Sequence, residues 1–393
     1  MIPTYYEFQN SVKVVSGKNA LENVPFELNN LNANKPIILT NEVLIKHGQV
    51  KILIDALSAS NISIGPIFKD IPQDSSVEIV NTIAELYRQE KCDSIIAIGG
   101  GSVIDTAKGV NIVVSKGTDD LMNYMGLEII NGKLKPFIVI PSTAGTGSEA
   151  TLVAVIANPN KNVKMEFISY NMLADVAVLD PRMTLSLPPR ITASTGMDAL
   201  SHSIEAYTCL QKNPLSDAYA FASIEIIRDN LFEAVQNGKN EMVRLAMVNA
   251  SLMAGIAFSN SMVGIVHAIG HACGAISHVP HGDAMNILLP YSMEFNKKMT
   301  SEYYSKLLLP LAGPEIYSDT PEKQRAQKSI DTVKSMSQRL EQICGLPTRL
   351  RDVGVKKEDF DRIAKTAIND GASIVNPVEV TYDNVMMILD KAY

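Results

Sequence analysis

Cysteine is scarce in this 393-residue chain: Cys92, Cys209, Cys273 and Cys344 stand far apart and form no CxxC pair. Free thiols in a reducing, cytoplasmic setting are the expected state. Basic charge is not in excess either. The formal net charge is −7, with Lys and Arg scattered along the chain, which argues against nucleic-acid binding because that needs basic patches to neutralise phosphates. The N-terminus, MIPTYYEFQNSVKVV, lacks a basic stretch followed by an apolar one, so no secretory signal is expected. From Leu245 to Gly282 there is no Asp, Glu, Lys or Arg at all. A bilayer span needs about 20 predominantly apolar residues, and Asn249, Ser251, Ser259, Asn260, Ser261 and several histidines interrupt this run. Two helices buried in a helical domain are expected there, with no membrane segment.

Strand signals are present in the first half and missing from the second. KPIILT (35–40), DSIIAIGGG (93–101), KPFIVIPST (135–143) and ADVAVLD (174–180) are nearly continuous apolar runs bounded by Gly, Pro, Asn or Asp. Such runs suit strands covered on both faces. Between them SSVEIVNTIAELYRQEK (75–91) has apolar residues at helical spacing. The alternation predicts an α/β domain with a mostly parallel sheet. After LSLPPR (185–190) helical stretches dominate, including 214–238 and 328–345. A length of 393 residues suggests two domains at roughly 100–200 residues each. The reading is therefore an α/β domain over 1–188 and an all-α domain over 189–393.

Two glycine-rich turns follow strands. IIAIGGGSVIDTAKG (95–109) sets three glycines between a strand and a helix, where the backbone can approach an anion closely and the helix N-terminus can hold it. This is neither the GxGxxG fingerprint nor a Walker loop, and a tight turn without ligand explains it as well. PSTAGTGSEAT (141–151) adds the hydroxyls of Ser142, Thr143, Thr146 and Ser148. Two such loops after apolar strands favour a nucleotide crevice at strand C-termini.

Four of the six histidines crowd into VHAIGHACGAISHVPHG (266–282): His267, His271, His278 and His281. Upstream, Asp198 and His202 stand four apart, on one face of a helix, and His267 and His271 repeat that spacing. One carboxylate with several imidazoles is donor chemistry for a divalent first-row metal. Spacing leaves the ligand set open: His267 and His271 can chelate together, or one can stand beside the metal as a proton carrier.

The motifs GGGSxxDxxK (99–108), STAGTGSE (142–149), GMDALxHxxE (196–205) and HAxGHxxGxxxxxPHG (267–282) together resemble the iron-containing (group III) alcohol dehydrogenases, in order and over nearly the whole chain. The resemblance implies an N-terminal dinucleotide-binding domain, a helical metal-binding domain, and hydride transfer between an alcohol or aldehyde and NAD or NADP. It places the metal, Fe2+ or else Zn2+, on Asp198, His202, His267 and His281. His271 then lies near nicotinamide and substrate as a proton relay, and His278, which matches no ligand of the family, is structural or stands behind the ligands. Gly100, Gly101 and Ser102 fall on the pyrophosphate turn, Thr143, Thr146 and Lys164 on coenzyme contacts, and Phe258 on the substrate pocket. Relatives of this kind are often homo-oligomers.

One position departs from the family pattern. NAD-preferring members often carry Asp after the first strand to hold the adenosine ribose, whereas this chain has Asn41 in LTNEVL. An amide does not repel the 2′-phosphate of NADP as a carboxylate does. NAD(P) is therefore expected, with a lean to NAD because Glu42 stands next door. A dehydroquinate-synthase-like lyase would need a basic pocket that the charge-free run does not offer. A metal-dependent hydrolase leaves the two glycine loops unused, and a non-catalytic nucleotide-binding protein leaves the Asp198–His202–His281 set unexplained.

Overall fold

The computed structural model describes residues 3–73, 75–161 and 163–393. The chain forms two compact units, one of residues Gln9–Ser186 and one of Leu187–Tyr393 joined by the segment up to Phe8. That first segment packs with the helical unit rather than with the sheet. The Phe8 ring stacks on Tyr219 at 5.9 Å.

The first unit holds nine strands among its described residues. They are β1 Lys13–Ser16, β2 Pro36–Leu39, β3 Ile67–Phe68, β4 Ser94–Gly99, β5 Gly126–Leu127, β6 Phe137–Pro141, β7 Val153–Asn158, β8 Val163–Ile168 and β9 Val176–Leu179. Six form one sheet in the order β1-β9-β6-β4-β2-β3, every pairing parallel. The four apolar runs of the sequence are its interior strands β2, β4, β6 and β9, buried at every residue. Ile38, Ile96, Ile98, Ile138, Ile140 and Val178 face a core completed by Leu28, Leu53 and Leu57 from flanking helices.

The strands that sequence reading passed over are of two kinds. β1 and β3 are edges, short and largely exposed, so they carry no continuous apolar run. β7 and β8 form an antiparallel hairpin in a separate three-stranded sheet with β5. There Ala154, Ile156, Met165 and Phe167 are buried and alternate with half-buried neighbours on β7 and mostly exposed ones on β8. This is the alternating pattern of a strand covered on one side only.

The second unit is helical. Pro189–Thr208 runs through its middle, packed by Pro214–Gln236, Glu241–Ser259 and His281–Ala312. Small residues let the neighbours approach. A Cβ at Gly196 would collide with Leu231, and Ser201, Ser203 and Thr208 satisfy their buried hydroxyls on carbonyls one turn back, at 2.8–2.9 Å. The charge-free run becomes the end of Glu241–Ser259 and the helix Ile265–Ser277. The former is long and apolar enough to span a bilayer by composition, yet most of it is buried within the fold.

Candidate functional site

The central helix aims three polar side chains one way. Asp198, His202 and Glu205 sit at i, i+4 and i+7, so they share a helix face. His267 stands in the first turn of Ile265–Ser277, one turn before His271. His281 opens the helix His281–Ala312 behind Pro280. Gly282 allows that start, because it lies against the Ser194 backbone of the central helix.

These three helices bring Asp198, His202, His267 and His281 together. One donor atom from each lies within 4.8 Å of the others. Asp198 Oδ1 is 3.3 Å from His281 Nε2, 3.8 Å from His202 Nδ1 and 3.9 Å from His267 Nε2. The His202 and His267 rings stack at 4.5 Å.

The electrostatics call for a cation. Burial drives the His202 imidazole down to about 3 and His267 well below the usual histidine range. Burial alone would raise Asp198, but the facing imidazoles override it and hold the carboxyl low. The pocket thus presents a carboxylate among imidazole lone pairs. Asp198 Oδ1, His202 Nδ1 and His267 Nε2 are all buried without a hydrogen-bond partner. Buried polar atoms are seldom left so, and three converging on one point fit a divalent metal.

Two residues without an assigned role in the sequence reading complete this region. Glu205 Oε2 accepts a hydrogen bond from His267 Nδ1 at 2.5 Å, and its Oε1 accepts from the Val266 N–H at 2.8 Å. A carboxylate behind a metal-facing histidine fixes both tautomer and ring orientation. Burial pushes Glu205 up to about 7. Asp370 Oδ2 accepts from His271 Nδ1 at 2.8 Å; burial opposes its ionisation, but this bond holds the carboxyl low. Glu205 had a signal in the sequence, the i+7 spacing from Asp198. Asp370 had none, being 99 residues from its partner.

The remaining candidates of this unit fall around the cluster. The His271 side chain is 44% exposed, and its ring stacks on His281 at 5.5 Å. Phe258 stacks on His202 at 4.4 Å and joins an apolar group with Val263, Ala268 and Ala372. His278 is the exposed C-cap of Ile265–Ser277, with a left-handed φ of 53°.

In the sheet unit the two glycine-rich loops meet. β4 and β6 are neighbours, with Gly99 opposite Pro141, so both loops leave the same end of the sheet. A Cβ at Gly100 would stand 3.3 Å from Thr143 Oγ1, and one at Gly101 3.2 Å from Thr146 Cγ2. Gly101 begins the helix Gly101–Lys116, whose N-cap, Gly100, supplies no side-chain cap. Ser102 in its first turn donates its hydroxyl to the Gln73 carbonyl. Asn41 follows β2, on the other side of β4. The chain moves outward from β2 to β3 and returns beyond β2 to β4, which is a topological switch point, the usual place for a ligand in such sheets. Asn41 Oδ1 caps the helix Glu42–Lys46 by accepting from the Leu44 N–H at 3.1 Å. Lys164 is exposed on β8, opposite Ala157.

Beneath the loops lies Lys108, only 1% exposed. Its Nζ donates to Thr151 O, Thr151 Oγ1 and Val153 O at 2.7–3.0 Å. Burial brings the amine down to about 8, opposed by Asp105 and Glu149, and raises Glu149 to about 7. Lys108 thus ties β7 and the hydroxyl loop to the glycine-turn helix. Lys108→Met, which fills the space without the charge, is expected to cost about 3–5 kcal/mol, the scale of an uncompensated buried group. The denaturant midpoint checks this, and a loss under about 1 kcal/mol, the scale of an exposed pair, would contradict it.

Comparison with known proteins bears on the whole chain. Residues 11–181 match the family pattern "Iron-containing alcohol dehydrogenase", and residues 192–393 match "Fe-containing alcohol dehydrogenase family, C-terminal". The chain belongs to the iron-containing alcohol dehydrogenase family. Among its relatives in this family, the 1,3-propanediol dehydrogenase of Klebsiella pneumoniae is 34% identical over 379 residues, 96% of each chain. The NADPH-dependent butanol dehydrogenase of Clostridium saccharobutylicum is 35% identical, covering 96% of this chain and 95% of that one. The alcohol dehydrogenase from Oenococcus oeni has the same fold, with a TM-score of 0.93 at 33% identity over 99% of this chain and 100% of that one. As a family member the chain is a metal-dependent, NAD(P)-linked oxidoreductase that interconverts alcohols and aldehydes.

Proposed function

We propose that this enzyme interconverts short primary alcohols or diols with their aldehydes, using a divalent metal held by Asp198, His202, His267 and His281. The observation that carries this reading is the set of buried, unpartnered donor atoms of Asp198, His202 and His267 converging beside His281. Iron(II) is the family metal, and the same donors suit zinc. When bound, the metal supplies Lewis acidity to the substrate oxygen and a nicotinamide coenzyme accepts or returns the hydride.

The chain's own residues orient the substrate and move a proton. Phe258, with Val263 and Ala268, forms an apolar wall against His202, suited to a short uncharged carbon chain. His271 gives its Nδ1–H to Asp370, which fixes the tautomer and leaves Nε2 to take a proton and pass it on. Its 44% exposure puts water within reach of the ring. Gly100, Gly101 and Ser102 seat the pyrophosphate, with Thr143 and Thr146 alongside and Lys164 as a further coenzyme contact. Asn41 brings no charge to the ribose position, and the neighbouring Glu42 carboxylate lies 3.5 Å from Lys46 and 3.8 Å from Lys69. Both coenzymes are therefore accepted.

The test uses protein reconstituted anaerobically with Fe(II) or Zn(II), followed by NAD(P)H absorbance with 1-butanol and 1,3-propanediol. Metal-dependent reduction of NAD and NADP is expected. No turnover with any metal, alcohol or aldehyde would return the lyase reading to the front. Asn41→Asp keeps the helix cap, since Asp caps as well as Asn. The added charge is expected to lower kcat/KM for NADP relative to NAD by about tenfold, a 1.4 kcal/mol repulsion. An unchanged ratio would remove residue 41 from the coenzyme site.

A further inference from the structure

The helix that carries His267 starts without a cap of its own. Its N-cap is Gly264, and no side-chain hydrogen bond from that residue closes the first turn. The cap comes from another helix. Glu205 Oε1 takes the Val266 N–H, while Oε2 takes the His267 ring N–H. The preceding amide, Ile265 N–H, goes to Asn376 Oδ1 at 3.2 Å. Asn376 is itself locked. Its amide exchanges two hydrogen bonds of 2.9 Å with Asn296 and donates to Val378 O at 2.7 Å. Glycine at 264 makes room for both caps, since a Cβ there would stand 2.8 Å from Asn376 Oδ1 and 3.0 Å from Glu205 Oε1 and displace them. Glu205, Asn296 and Asn376 are all buried.

These contacts do more than finish a helix. Rotation of an imidazole about χ2 is broad and nearly two-fold, so packing alone distinguishes poorly between the ring and its flipped form, in which Cδ2 takes the place of Nδ1 and Cε1 that of Nε2. In its ionised form Glu205 can only accept, and with Oε1 on the Val266 N–H its Oε2 removes that ambiguity. It holds Nδ1–H and leaves the Nε2 lone pair toward Asp198, 3.9 Å away. The same helix thus supplies Asp198 and His202 and also the group that aims His267.

We propose that Glu205 is a positioning residue that sets metal affinity by fixing the His267 ring, and that the Asn376–Asn296 pair steadies the backbone turn that carries this ring. This rests on the metal-centre reading above. Removing such outer partners typically weakens metal binding about 10–100-fold.

The test is titration of metal-free protein with cobalt(II), read by visible absorption, with zinc competition to fix the affinity. In Glu205→Gln one amide oxygen can serve the His267 ring or the Val266 N–H, and the NH2 group opposes whichever is left. Cobalt affinity is expected to fall about 10–100-fold, with an altered visible band and unchanged far-ultraviolet circular dichroism. In a His267→Ala background, which keeps no metal through purification but is titrated at high cobalt to read the weak binding of the three remaining donors, the same change is expected to cost nothing further, because the ring it acts through is gone. Unchanged affinity in Glu205→Gln overturns the proposal, and so does an equal loss without His267, which would mean general packing. If Glu205→Gln does not fold, Asn376→Ala decides by the same titration: a severalfold loss supports the network, and wild-type affinity refutes it. A wild-type protein that binds no cobalt overturns the metal centre itself, and this inference with it.

Discussion

His267→Ala is expected to lose bound metal and activity together, whereas His271→Ala keeps its metal and loses turnover alone. The two histidines are one helical turn apart on the same helix, yet their surroundings differ in kind. His267 is buried, its Nε2 has no hydrogen-bond partner, and its Nδ1 is held by Glu205. Alanine there removes one of four converging donors and leaves Glu205 buried without its ring partner. His271 lies at the open side of the cluster, edge-on to His267 at 5.9 Å between ring centres, with its Nδ1 bound to Asp370. Its loss takes away a proton carrier, an effect of about 10²–10⁴ on rate. Metal content by elemental mass spectrometry, set beside kcat for each variant, separates the cases. Equal metal loss in both would mean that the ligand set is wrong. A merely modest fall in His271→Ala would mean that solvent carries the proton.

Gly282→Ala is expected to be nearly as damaging, although no donor atom is removed. A Cβ at 282 would overlap Ser194 Oγ and stand 2.7 Å from the Ser194 carbonyl oxygen and 2.9 Å from its carbonyl carbon. Two of these three atoms are backbone of the helix that bears Asp198, so no side-chain rotation relieves the clash. The helix beginning at His281 must back away. Its Asp283 is also anchored to that same helix, receiving Arg190 Nη2 at 2.7 Å. Separation opens the 3.3 Å approach of His281 Nε2 to Asp198. The expected outcome is metal binding weakened by about 10–100-fold and stability lowered by about 1–3 kcal/mol, the usual cost of overpacking. Cobalt titration and thermal unfolding of the metal-free protein measure the two effects separately. Wild-type affinity at lowered stability would show that the helix start can shift without moving His281.

Four of the strands were legible in the sequence because they are interior: both faces are covered, so KPIILT or KPFIVIPST needs no polar position. β1 and β3 were not, since an edge strand of two to four largely exposed residues has no such run. Of the hairpin, β8 did carry a period-two alternation, Lys164 and Glu166 against Met165 and Phe167, whereas β7 reads VAVIAN with apolar residues on both faces; the turn falls at Pro159–Lys161 between them. Phe8 belongs with the helical unit, where its ring stacks on Tyr219, a partner more than two hundred residues on.

What the sequence by itself determined is the order of an α/β half and a helical half, the two glycine loops after apolar strands, and the face shared by Asp198 and His202. Those follow from local periodicity and from which backbone turns only small residues permit. Spacing could not choose among the histidines, because His267 with His271 has the same i, i+4 geometry as Asp198 with His202. The tertiary structure gives them different surroundings. Three helices converge so that His281 closes on Asp198, while Asp370 draws His271 to the open side and Glu205 turns His267 inward. Those choices rest on hydrogen bonds between residues 62 and 99 positions apart. Contacts at such separation have no period in the chain; they exist only once the helices have packed.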